Sequence, residues 1–111
     1  MKIITKPIEK AFAKQGDTSQ MLVSKIKIIM KLFNPTGAGT WYIYEKETED
    51  IYWAFVTLGD PQMAECGTVS MNELMNFRGQ FGLKIERDMH FDPMSMTLEE
   101  VYNKVKEGKH V

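Results

Sequence analysis

Apolar residues recur along this chain with two different spacings, and the first of them predicts helices. In three stretches the apolar positions repeat every three or four residues, which places them on one helix face. Each stretch starts after a residue that can cap a helix and stops near a glycine. These boundary pairs are Thr5 and Gly16, Ser70 and Gly79, and Thr97 and Gly108. The pattern therefore predicts three amphipathic helices.

Five other stretches alternate apolar and polar residues, or are rich in β-branched and aromatic residues, as strands are. They span residues 25–33, 40–46, 51–58, 63–69 and 82–93. The first four are joined by short, turn-like segments, so we expect an antiparallel meander whose third strand has neighbours on both sides. The predicted fold class is α+β: an antiparallel sheet of about five strands packed with two or three helices as a two-layer sandwich.

Lysines are concentrated in the first part of the chain, although the formal net charge is only -1. Residues 1–40 carry seven lysines and two acids, whereas residues 41–111 carry seven bases and thirteen acids. Two rows are predicted, one on the first helix and one on the outward face of the first strand. They are Lys6, Lys10 and Lys14, and Lys25, Lys27 and Lys31. A solvated face is the usual meaning of such rows, and contact with a phosphate backbone is the alternative.

The length of 111 residues predicts a single domain spanning residues 1–111. Cys66 is the only cysteine, so an intramolecular disulfide is excluded and a reducing cytosol is expected. The first residues lack the features of a signal peptide, and the most apolar run is too short to cross a bilayer. We therefore expect a cytoplasmic protein without membrane association, either a monomer or a homodimer.

The segment of residues 82–93 contains most of the candidate chemistry. If it is one strand, its polar face carries Glu86, Asp88, His90 and Asp92. Same-face residues on a strand lie about 6.7 Å apart, so four of them cannot converge on one ion. We therefore predict a solvated acidic face with no metal, cofactor or catalytic residue, and a small metal-dependent hydrolase on this face is an alternative.

The opposite face of the same segment contains Arg87 among apolar residues. A buried guanidinium needs a partner, because an unpaired buried charge is costly. We expect an ion pair inside the domain, with Glu73, Glu99 or Glu100 as candidate partners. The alternative is a binding arginine that contacts a phosphate or a partner's carboxylate, together with Arg78, the only other arginine.

Aromatic residues cluster on the second and third predicted strands. Trp41 falls on one face of the second strand, and Tyr42 and Tyr44 fall on the other face. Packing between neighbouring strands is the commoner role of such residues. An exposed row that stacks on bases or anchors a protein partner is the alternative.

Several motifs, in order, resemble a known family of small bacterial and phage proteins. They are Thr40-Trp41-Tyr42 after Phe33-Asn34-Pro35, the helix start at residues 70–74, the run Ile85-Glu86-Arg87-Asp88 followed by Phe91-Asp92-Pro93, and Thr97-Leu98-Glu99-Glu100. Over residues 25–105 the chain resembles domain of unknown function 2958. The resemblance implies cargo of phages, plasmids or conjugative elements, with no activity, cofactor or catalytic residue attached to it.

The expected function is stoichiometric binding rather than catalysis. The resemblance suggests a mobile-element accessory protein that binds a host protein or a small nucleotide signal, with an anti-defence role. The candidate binding residues are Arg87, Arg78, Trp41, Tyr42, Tyr44, Glu86, Asp88 and His90. A nucleic-acid-binding module that uses the lysine-rich N-terminal part is the first alternative, and the metal-dependent hydrolase is the second.

Overall fold

A computed structural model describes residues 3–111 of the protein. In chain order the elements are helix α1 (Lys6–Gln15), strands β1 (Met30–Phe33), β2 (Thr40–Lys46), β3 (Ile51–Thr57) and β4 (Glu65–Ser70), helix α2 (Met71–Asn76), strand β5 (Glu86–Arg87) and helix α3 (Leu98–Lys106). Short 3₁₀ turns at Pro61–Met63 and Gln80–Gly82 precede β4 and β5.

The five strands form one antiparallel sheet in the order β4-β3-β2-β1-β5. Strands β1 to β4 follow one another as the predicted meander, and β3 has a neighbour on each side. Strand β5 returns after α2 and pairs with the free edge of β1. The predicted α+β class with about five antiparallel strands and two or three helices is confirmed, and the structure has five strands and three helices.

The helices cover both faces of the sheet. Helices α1 and α2 pack on a first face, where Phe12 of α1 makes an edge-to-face contact with Tyr52, with ring centroids 5.3 Å apart. Helix α3 packs on the second face through Val101 and Val105. The sheet therefore lies between helices, which corrects the expected two-layer arrangement. The sequence shows that a helix has an apolar stripe but not which sheet face receives it.

The first strand is shorter than the predicted stretch of residues 25–33. Backbone hydrogen bonds join Ile26 to Leu98, and Ile28 to both Met94 and Met96, so this segment pairs with the approach to α3. Only Met30–Phe33 continues along β2. The expected solvent-facing row is also corrected, because Lys31 is buried at 8% exposure.

The fifth strand was predicted over residues 82–93, and only Glu86–Arg87 is a strand. Before it, the 3₁₀ turn places Phe81 in the left-handed region at φ 60°. After it, the Asp88 carboxylate accepts a hydrogen bond from the backbone N–H of His90 at 2.9 Å, which turns the chain away from the sheet. Aspartates such as Asp88 and Asp92 continue the alternating pattern but also favour turns, so the pattern alone was misleading.

The helices begin at the residues that their caps predicted. Thr97 and Glu100 form a complete capping box at the start of α3. At α2 the Ser70 hydroxyl accepts from the backbone N–H of Glu73 at 3.2 Å and donates to Asp50 at 2.7 Å, so the predicted box is only half formed. Within residues 3–111, no helix combines the length and the apolar character that crossing a membrane requires.

Candidate functional site

Two of the candidate binding residues, Tyr42 and Tyr44, lie in the core between β2 and α3. Each is 5% exposed, so neither can stack on a base or a partner. Burial, reinforced by the nearby charge of Asp88, raises the pKa of Tyr42 to about 12. Burial also raises the pKa of Tyr44. Both phenols therefore stay neutral and serve packing, which corrects their assignment as binding residues.

Trp41 is the one aromatic candidate that reaches an open surface. It is partly exposed on the first sheet face, opposite Val56 of β3. Its indole lies directly over Gly39, where a Cβ atom would come within 2.8 Å of the ring. The φ of 134° at Gly39 is also a conformation that favours glycine. The tight turn before β2 therefore holds the indole in place at the surface.

An open groove lies beside Trp41, on the part of the first face that the helices leave uncovered. We call it the β4 groove, and its volume is about 860 Å³. Its apolar wall consists of Trp41, Val56, Val69, Leu74, Phe77 and Ile85. At one end Leu58 and Met63 are 69% and 77% exposed. A concave apolar surface of this kind is typical of a binding site.

The polar residues around the β4 groove give it a negative charge. Asp60, Glu65 and Glu73 all line it, while no lysine, arginine or histidine among residues 3–111 does so. In the same part of the chain none of these three carboxylates is paired with a base. The groove therefore combines an apolar floor with three uncompensated negative charges.

The two arginines lie outside this groove and have different environments. Arg78 is exposed, and its Nη1 donates to the backbone oxygens of Met75 and Phe77 at 3.0 and 2.9 Å, which satisfies carbonyls at the end of α2. Arg87 lies beside Leu32 on the first face, as its position in the alternation predicted.

The ion pair predicted for Arg87 is absent within residues 3–111. Neither Glu73, Glu99 nor Glu100 lies at ion-pairing distance from its guanidinium. Its Nη2 lies 3.2 Å from the sulfur of Met89, and its buried Nε has no hydrogen-bond partner in the described part of the chain. Glu99 and Glu100 are too far away because they belong to α3, on the other face of the sheet, whereas Glu73 of α2 lines the β4 groove instead.

The acidic candidates of residues 82–93 do not converge. Glu86 and His90 are exposed, and Asp88 instead forms an ion pair with Lys31, Nζ to Oδ2, at 3.2 Å. Burial alone would raise the pKa of Asp88, but hydrogen bonds from the His90 N–H and from Lys31 outweigh it and lower that pKa. Among residues 3–111, no group of three His, Cys, Asp or Glu side chains could hold a metal ion.

Of the two predicted lysine rows, one is exposed as a row. Lys6, Lys10 and Lys14 all lie on the solvent side of α1. In the other row Lys31 is buried and paired with Asp88, so this residue cannot reach a phosphate. Strand β1 begins at Met30, so Lys25 and Lys27 lie outside the strand that contains Lys31 and do not form a row with it.

Sequence reasoning found Trp41 but missed most of the β4 groove. Leu58, Met63 and Phe77 belong to apolar stretches that read as core, and the composition of the sequence gives no sign that they stay exposed. The three carboxylates come from different elements of the chain: Asp60 precedes β4, Glu65 begins β4, and Glu73 lies in α2. One signal was present in the sequence: Gly67 interrupts a predicted strand, and such glycines often mark a close approach.

The comparisons with known proteins place the chain in one family. A family model described as "Protein of unknown function (DUF2958)" matches residues 3–107. Searches of curated proteins and of solved structures gave no significant match. Because the matched region covers nearly the whole chain, the protein belongs to the DUF2958 family, as its sequence motifs indicated.

Proposed function

We propose that this protein acts by stoichiometric binding of another protein, which it holds in the β4 groove. The observation that carries the proposal is an open apolar groove of about 860 Å³ lined by three unpaired carboxylates. Exposed apolar area rimmed by polar groups is typical of protein interaction sites. In biological terms, we propose a cytoplasmic accessory protein of a mobile element that binds a host protein in an anti-defence role.

The chemistry of the groove favours a protein over a small nucleotide signal. A nucleotide carries phosphates, and phosphate sites use arginine, lysine or backbone N–H groups at helix starts. The described lining of the groove offers Asp60, Glu65 and Glu73 instead. Trp41 and Phe77 supply the aromatic anchors that dominate protein interfaces. We therefore expect a partner with apolar side chains and a basic surface.

Gly67 offers a way to close the groove without disturbing the core. It lies in β4 opposite Ala54, and a Cβ added there meets no atom within 4 Å. Gly67→Phe should therefore fill the groove with a residue that strands accept readily. Gly67→Ala is the matched control, because it adds one methyl group at the same place.

The test is affinity capture from a bacterial host lysate with three immobilised proteins: wild type, Gly67→Ala and Gly67→Phe. We expect a host protein to bind wild type and the alanine variant in a molar ratio near one, and to be reduced at least tenfold with Gly67→Phe. Equal recovery with all three proteins would contradict binding in the β4 groove. Nucleotide analysis of the captured fraction checks the small-molecule alternative.

The exposed lysine row of α1 supports a second function, binding to nucleic acid. Lys6, Lys10 and Lys14 could contact phosphates, and their affinity would fall steeply with salt. The burial of Tyr42 and Tyr44 removes the aromatic contacts that this alternative also required. Labelled single- and double-stranded DNA at low salt tests it, and unshifted probes would exclude it.

A further inference from the structure

Strand β4 is an edge of the sheet, and its backbone forms part of the groove. Its neighbour on one side is β3, and no strand of residues 3–111 pairs with its other side. All six residues of β4 line the groove, although only alternate side chains of a strand can point to one face. The backbone of β4 therefore contributes to the wall, and the groove opens along the unpaired edge.

An edge strand presents unpaired backbone groups. In an antiparallel ladder every second residue turns both its N–H and its C=O away from the existing neighbour. Natural proteins usually protect such an edge with lysine, proline, a bulge or a covering loop. Strand β4 has the sequence Glu-Cys-Gly-Thr-Val-Ser, which contains neither lysine nor proline, and its six residues pair with β3 without a bulge.

We infer that the partner of the β4 groove supplies an extended basic segment, which joins the sheet as a sixth strand beside β4. This inference rests on the proposed function and specifies the form of its partner. A segment of about six residues, about 20 Å long, would match the length of β4. Its backbone would bond to the free edge, and alternate side chains would enter the groove, as in other strand-addition complexes.

The charges around the groove select the composition of that segment. Glu65 begins β4 and Glu73 follows its end in α2, so carboxylates stand near both ends of the edge. Lysine or arginine in the added strand would pair with them, and apolar residues between the bases would contact Val69 of β4. We therefore expect a segment that alternates apolar and basic residues.

The same charges argue against a second copy of this chain at the edge. Two β4 strands paired antiparallel would bring Glu65 of each copy near the end of the other strand, where Glu73 lies. Like charges that are brought close together repel each other. A partner with the opposite charge avoids this cost.

The experiment selects peptides against the protein without assuming their sequence. A library of random twelve-residue peptides is displayed and enriched on wild-type protein, with Gly67→Phe protein as the counter-selection. Enriched peptides are then synthesised, and their affinity is measured by fluorescence anisotropy against wild type, Glu65→Gln and Glu65→Lys. Amide hydrogen exchange of β4 is measured with and without each peptide.

We expect enriched peptides with alternating apolar and basic residues, and slower exchange at the outward-facing amides of β4. Affinity should fall at least tenfold in Gly67→Phe. It should fall less in Glu65→Gln than in Glu65→Lys, where we expect a loss of about three- to tenfold, because exposed charge pairs contribute modestly. The charge effect should shrink as salt rises.

Three outcomes would overturn the inference. Peptides with helical spacing that need the open groove but leave β4 exchange unchanged would refute strand addition and leave the proposed function standing. A failure to enrich any peptide that depends on Gly67 would refute both. Sedimentation that shows a wild-type dimer, dissociated by Gly67→Phe, would identify a second copy as the occupant.

Discussion

The ion pair between Lys31 and Asp88 allows a quantitative test of how β5 is held to the sheet. The side chain of Lys31 is 9% exposed and that of Asp88 is 24% exposed, and their charged atoms lie 3.2 Å apart. Lys31 also donates to the backbone oxygen of Val111 at 2.7 Å. In Asp88→Asn the shape and the acceptor for the His90 N–H remain, so the substitution removes little except the charge.

The exposure of the two partners sets the expected size of the effect. Removing one partner of a fully buried pair costs about 3–5 kcal/mol, whereas exposed pairs contribute about 0–1 kcal/mol. With one partner buried and the other a quarter exposed, we expect Asp88→Asn to lower the free energy of unfolding by about 2 kcal/mol. Lys31→Met should cost under about 1 kcal/mol, because it replaces the buried ammonium with an apolar chain and leaves Asp88 able to hydrate.

Urea denaturation followed by circular dichroism at 222 nm measures both changes, and the double variant completes the cycle. The folded state lowers the pKa of Asp88, so its contribution is present above the unfolded pKa and is lost as pH falls through the folded value. The difference between wild type and Asp88→Asn should therefore shrink below about pH 4. A larger cost for Lys31→Met than for Asp88→Asn, at neutral pH, would refute this account of the pair.

Two further predictions concern stability, and thermal or urea unfolding measures both. Gly79→Ala should lower the free energy of unfolding by about 1–3 kcal/mol, because the added Cβ would lie 2.5 Å from Thr36 Oγ1. Gly67→Ala should be neutral or stabilising by up to about 1 kcal/mol, because its Cβ meets no atom within 4 Å. Equal effects of the two substitutions would contradict the packing seen at these glycines. Thr97→Ala should cost about 1 kcal/mol, because it removes the hydroxyl that accepts from the Glu100 N–H, and an unchanged midpoint would show that the capping box contributes nothing.

Elements whose signals lie within a few residues were predicted most accurately. The bounds of β2 agree with the predicted residues 40–46, and α3 begins directly after its predicted cap at Thr97. Turn chemistry and caps act within a few residues, so the sequence displays them. Strand β1 was predicted too long because residues 26–28 form hydrogen bonds with residues 94–98, which are distant in sequence. Strand β5 was predicted too long because the alternating pattern was given more weight than a local turn signal, the Asp88 carboxylate that accepts from the His90 N–H.

The candidate site was less accessible to sequence reasoning. Trp41 was identified as a binding candidate and does line the groove, while Tyr42 and Tyr44, its neighbours, are buried beneath α3. Alternation along a strand separates two faces but does not tell which of them a helix will cover. Arg87 was placed on the correct face, but none of its three expected partners forms an ion pair with it, and two of them, Glu99 and Glu100, lie on the opposite face with α3.

The sequence by itself indicated the family through its motifs. It also determined the α+β class, about five strands with two or three helices and the antiparallel meander, because periodicity, caps and turns are local properties. Only the tertiary structure decided that α3 lies opposite α1 and α2, that β4 is left as an edge, and that an apolar groove beside it gathers Asp60, Glu65 and Glu73. The physical reason is that a groove is space left between packed elements. Its shape and charge depend on how distant parts of the chain pack, and no single segment carries that information.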